Sequence, residues 1–192
     1  AKTAEQFSMN YTLRDNQEHK KVLLMASEET HCVEDILHRW DAGDLKCSIV
    51  GILSNHASLR KKAQWYEVPF EHLPSDNKKE HFDTLEQRIN SFNPDVIVLA
   101  RYMQILPEKL CAKYHNQLIN IHHSFLPSFV GANPYKQAFD RGVKIIGATA
   151  HYVTPTLDEG PIITQGIAPI SHRQTLEEYK RLGKDTESQV LS

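Results

Sequence analysis

"INIHHSFLPSF", residues 119–129, sets an apolar run against Asn120, His122 and His123. A buried strand ordinarily runs into a turn of Gly, Asn or Asp. This one runs into imidazoles, which can donate, accept and shuttle protons near neutral pH. Asn120 and His122 are two residues apart, so on an extended strand they share one face. The pair allows two readings. It satisfies buried backbone at a strand end, or it polarises a carbonyl whose oxygen gains negative charge during reaction.

The segments around this stretch alternate between two periodicities. "KVLLMAS" from Lys21, "CSIVGILS" from Cys47, "DVIVLA" from Asp95 and "QLINIH" from Gln117 are apolar runs of strand length. Val33, Ile36, Leu37 and Trp40 recur as the stripe of an amphipathic helix. Phe82, Leu85, Ile89 and Phe92 do the same and stop before Asn93-Pro94. Pro107 opens a short helix with Leu110, Cys111 and Tyr114, and Tyr135, Ala138 and Phe139 mark another. "KIIGATAHYV" and "PIITQGIAPI" are further strands, and a last helix starts at about Thr175. Strands apolar on both faces, alternating with helices, predict an α/β, Rossmann-like, mostly parallel sheet with helices on both faces. Residues 1–20 stand apart from this pattern, and "FSMNYTLRD" at residues 7–15 alternates as one strand would.

In such a sheet a ligand binds beyond the carboxyl ends of the strands. The ending after the first strand, Ser27-Glu28-Glu29-Thr30-His31, has no glycine with which backbone N–H groups could close around a phosphate. Two carboxylates stand there instead, which disfavours a phosphorylated ligand at that corner. His151 lies on a predicted strand, and Asp158 in a loop between Pro155 and Gly160-Pro161. Asp158 is either a turn residue or, with Asn120 and His122, part of an acid–base set that positions a water. His122, His123 and His151 offer three zinc ligands on paper. Neighbours on a strand face opposite ways, however, so His122 and His123 do not readily share a metal, and no metal is expected.

A formal charge of −2 over 192 residues leaves no basic footprint for nucleic acid. The apolar runs fall well short of the ~20 residues that span a bilayer, so no membrane association is expected. Cys32, Cys47 and Cys111 form no C-x-x-C pair and read as reduced, buried thiols. The cytoplasm is the expected location and a homo-oligomer the expected assembly.

Taken in order, "ARYMQIL" (100–106), "INIHHSFLPSF" (119–129), "GATAHYVT" (147–154) and "LDEGPII" (157–163) resemble the formyltransferase-fold family that uses 10-formyltetrahydrofolate. Within it, "SEETHCV" in place of a glycine-rich loop, and His122-His123-Ser124 in place of His-Pro-Ser, resemble the deformylase branch. The resemblance covers roughly residues 21–192. It implies a catalytic set of Asn120, His122 and Asp158. It implies a folate pocket along Met103, Gln104, Ile105 and Leu106 and along Val153, Thr154 and Leu157, with His123 and His151 as supporting contacts. The implied reaction is hydrolysis of 10-formyltetrahydrofolate to tetrahydrofolate and formate, for purine biosynthesis and the one-carbon balance, with no cofactor beyond the folate substrate. The alternatives are transfer of the formyl group to an amine such as glycinamide ribonucleotide, and a non-catalytic folate-binding module. The resemblance also implies a division into residues 1–20, a remnant of an N-terminal ACT-type regulatory domain with its linker, and residues 21–192, a formyltransferase-like catalytic domain that continues past Ser192 in the family.

Overall fold

The computed structural model describes residues 6–9, 19–128 and 133–192. Its first strand, β1 (Lys20–Ala26), shows why a sheet forms with cover on both sides. Leu23 and Met25 point into one apolar cluster, Leu24 and Ala26 into another, all fully buried. Burying each of the larger side chains contributes about 1.5–3 kcal/mol.

The chain continues through α1 (His31–Asp41), β2 (Cys47–Ser54), α2 (Arg60–Trp65), β3 (Phe70–His72), α3 (Lys78–Phe92), β4 (Val96–Leu99), α4 (Glu108–Lys113) and β5 (Leu118–His122). There follow α5 (Pro134–Asp140), β6 (Ile145–Tyr152), β7 (Ile162–Pro169) and α6 (Leu176–Leu191). The sheet order is β3-β2-β1-β4-β5-β6-β7. β3 to β5 pair in parallel, and β6 and β7 then close the edge antiparallel. Helices α1, α2 and the end of α6 cover one face, and α3 and α4 the other. No helix among the described residues is long and apolar enough to cross a membrane.

Local signals set the helix limits. Asn77 caps α3 by accepting from Glu80 N, and Asn93, left-handed at φ 45°, ends it before Pro94. Thr175 and Glu178 form a reciprocal capping box at the start of α6. Two short elements, α2 and β3, were not anticipated from the sequence. The strand expected over residues 7–15 does not include Phe7 and Ser8, which form a turn with Ser8 at φ 51°. Residues 10–15 of that segment lie outside the described residues. The strand expected at "PIITQGIAPI" is present as β7, but it is not covered on both faces. It is the sheet edge, and Ile162, Ile163 and Ile167 are exposed.

Helix α6 packs on α5 through Gly183, where a Cβ would overlap the Tyr135 ring. Replacing an interior helical glycine by alanine ordinarily gains about 1 kcal/mol. At Gly183→Ala the overlap outweighs that gain, and a net loss of about 1–3 kcal/mol is expected in urea unfolding. A more stable variant would show that the Tyr135 ring is free to move aside.

Candidate active site

Beyond the carboxyl ends of β4 and β5 lies a cavity of about 520 Å³. Its position follows from the reversal of strand direction at β5. This strand runs parallel to β4 but antiparallel to β6, and the register sets Asn120 opposite His151 and His122 opposite Thr149. All twelve residues singled out in the sequence line it: Asn120, His122 and Asp158, with Met103, Gln104, Ile105, Leu106, His123, His151, Val153, Thr154 and Leu157. His123 shares the cavity with His122 because β5 ends at His122 and the chain turns. The strict alternation assumed for that pair therefore does not hold, and their ring centroids are 5.4 Å apart.

The hydrogen bonds assign orientations. His151 Nδ1 lies 2.9 Å from Tyr152 O and must carry the proton there, so Nε2 accepts from Asn120 Nδ2 at 3.2 Å. Among the described residues, the second N–H of Asn120 has no partner. His122 Nδ1 stands 3.3 Å from Asp158 Oδ2, and the other Asp158 oxygen is 3.7 Å from His151 Nε2. His122 is 5% exposed, and its Nε2 has no hydrogen-bond partner among the described residues. The hydrogen bond from His122 holds the Asp158 carboxyl below its usual range, against the opposing effect of burial. Burial first, and the nearby Arg101 charge second, push His123 down to about 4, so its ring is neutral at pH 7.

The loop that carries Asp158 is tied down at both ends. Tyr152 N donates to Pro161 O, and Val153 N to Leu118 O. Gly160 lies so close to Tyr152 O that no Cβ fits between them. Asp158 itself sits at φ 57°, a left-handed conformation uncommon outside Gly, Asn and Asp. Opposite it, Leu126 N donates to Thr149 Oγ1, which donates to Ser124 O, bracing the turn after His123.

The cavity also takes in residues that the sequence did not single out, among them Arg101, Tyr102 and Asn133. Arg101 stands within the quoted "ARYMQIL", and its signal was a charge placed directly after a buried strand. Behind it lies a buried cluster. Glu187 of α6, with no exposure, is met by His31 Nε2 at 2.8 Å, by Arg101 Nε at 3.4 Å and by the Tyr135 hydroxyl. Burial alone would push Glu187 up. The His31 hydrogen bond, the Arg101 charge and the Tyr135 hydrogen bond together outweigh burial and hold it below its usual range. His31, Cys32 and Glu187 bring ligand-type atoms within 4.8 Å of one another. The carboxylate is already matched by a guanidinium, and burial pushes the Cys32 thiol up, so the chemistry is that of an ion-pair cluster and not of a metal centre. At the same corner Glu29 is paired with Lys184 at 2.5 Å. Its charge is thus offset within the protein, which weakens the expected repulsion of a phosphate by Glu28-Glu29.

The formyl transferase family model matches residues 20–192. The chain is 43% identical to a formyltetrahydrofolate deformylase of Bacillus subtilis, over all of this chain and 65% of that protein. It superposes on the crystal structure of a formyltetrahydrofolate deformylase from Pseudomonas syringae with a TM-score of 0.93 at 52% identity, covering 98% of this chain and 64% of that one. A glycinamide ribonucleotide transformylase 1 from Symbiobacterium toebii shares the architecture at 25% identity and a TM-score of 0.85, over 94% of this chain and 87% of that one. The chain thus spans somewhat less than two thirds of the length of these two deformylases. With a parallel sheet that reverses at β5, a cavity at that reversal and a family match over nearly its whole length, the chain belongs to the formyl transferase family.

Proposed function

We propose that this chain carries the catalytic site of a 10-formyltetrahydrofolate hydrolase, which releases formate and tetrahydrofolate. The observation that carries this reading is the convergence of Asn120, His122 and Asp158 on one cavity, in a chain 43–52% identical to two proteins named formyltetrahydrofolate deformylase. Met103, Ile105 and Leu157, apolar yet exposed at the cavity, suit the flat apolar part of a folate. Purine synthesis is the proposed use of the formate, and a water-filled compartment such as the cytoplasm the proposed location. We also propose assembly as a homo-oligomer and a regulatory-domain origin for residues 1–20.

Each side chain has a role that its surroundings support. Asp158, held ionised, accepts a hydrogen bond from His122 Nδ1–H and keeps the imidazole in one tautomer, leaving Nε2 to handle a proton. Water attacks the formyl carbon and gives a proton to His122 Nε2. The carbonyl π electrons move onto oxygen, which accepts from the second Asn120 N–H. When the oxyanion collapses, the bond from carbon to N10 breaks, and His122 returns the proton to N10 as it leaves. The products are tetrahydrofolate and formic acid, which gives its proton to solvent and leaves as formate, with no redox change.

Incubation of the full-length protein with 10-formyltetrahydrofolate, with and without glycinamide ribonucleotide, tests the reading. Formate in both samples is expected, and formylated amine as the main product would overturn it. Asp158→Asn removes the carboxylate that orients His122, and kcat should fall by about 10³–10⁴ with folate affinity little changed. Wild-type formate release in that variant would remove Asp158 from the mechanism. Asn120→Ala deletes one oxyanion donor, and kcat should fall by about 10²–10³ at a nearly constant KM. A change in KM alone would make Asn120 a binding residue.

A further inference from the structure

Arg101 occupies a backbone position at φ 64°, immediately beyond the end of β4. Glycine adopts that conformation without cost, whereas an L side chain is disfavoured there. The side chain is only 12% exposed, and among the described residues its buried Nε and Nη1 have no hydrogen-bond partner. A buried guanidinium with unused donors is expensive, and well-packed apolar residues commonly do as well or better for stability. Pairing with Glu187 accounts for the charge, but not for the left-handed backbone or the unused donors.

Its location gives a better account. Arg101 lines the reaction cavity, while Glu187 and His31, which hold it from behind, do not. The arginine is thus the wall between the cavity and a buried carboxylate–imidazole pair. Without it the cavity would open onto Glu187, His31 and the Tyr135 hydroxyl, groups suited to bind the hydroxyls or ammonium of a second substrate. We propose that Arg101, clamped by Glu187, determines acceptor specificity: it fills the space that a substituted amine would need and leaves the formyl carbon open to water. This rests on the hydrolase reading above.

The partition of the formyl group between two acceptors tests this. Full-length wild type, Arg101→Gly and the double variant Arg101→Gly/Glu187→Gln are each given 10-formyltetrahydrofolate at pH 7 with no amine, with O-methylhydroxylamine or with O-benzylhydroxylamine. Formate and the formylated product are measured separately. Glycine suits the backbone at this position, and the second exchange removes the carboxylate that would be left unpaired, so a folded protein is available even if the single variant is unstable. The ratio of the two products is internal to each reaction, so a loss of active fraction cancels. The O-benzyl product is expected to rise relative to formate by about tenfold or more in the variants. Unchanged ratios in both variants would overturn the proposal, as would loss of both products, which would make Arg101 part of the chemistry itself. Wild type that releases no formate without an amine would instead overturn the hydrolase reading, and the proposal with it.

Discussion

The bond from Asn120 Nδ2 to His151 Nε2, across the antiparallel pair β5–β6, is the constraint on which the site rests. A strand places every second side chain on one face, so a slip of one residue would turn Asn120 and His122 away from the cavity together. The reversal of strand direction at β5 brings β6 alongside, and with it the Asp158 loop, which leaves Tyr152 and returns through Pro161. Asp158, distant in the chain, is thereby held 3.3 Å from His122 and 3.7 Å from His151 before any ligand arrives. Such prior placement spares the reaction much of the cost of orienting its groups.

A second constraint lies one layer deeper. Glu187 is a carboxylate with no exposure to water, and a buried charge must be matched from inside the protein. His31 from α1, Tyr135 from α5 and Arg101 from the end of β4 do so, tying α6 to the rim of the cavity. The close approach of α6 to α5 at Gly183 belongs to the same arrangement. Packing of the last helix and the shape of the cavity wall are consequently one problem, solved by one carboxylate.

Most of the fold was legible wherever an element was long enough to repeat its pattern. β1, β2 and α3 each show several turns of helical period or a full apolar run. The six-residue α2 and three-residue β3 were not legible, because so few residues carry no period. The antiparallel direction of β6 was hidden for another reason. It is buried along nearly its whole length, so it lacks the apolar–polar alternation that marks an antiparallel strand with one wet face.

The sequence by itself determined the sheet class, the polar ending of β5, and a set of residues that all come to line one cavity, because these depend on local pattern and on a motif order that survives without coordinates. Only the tertiary structure decided what faces what. Glu187 sits in the charged run "KDTESQ" and reads as a solvated helix position, yet it is fully buried, since burial there depends on where α5 and β4 deliver Tyr135 and Arg101. Glu29 reads as a free carboxylate beside the cavity, yet Lys184, distant in sequence, pairs with it. His123 reads as facing away from His122, yet the end of β5 turns it into the same cavity. In each case the deciding partner comes from elsewhere in the chain, and a charge or an imidazole has its chemistry set by its nearest neighbours in space.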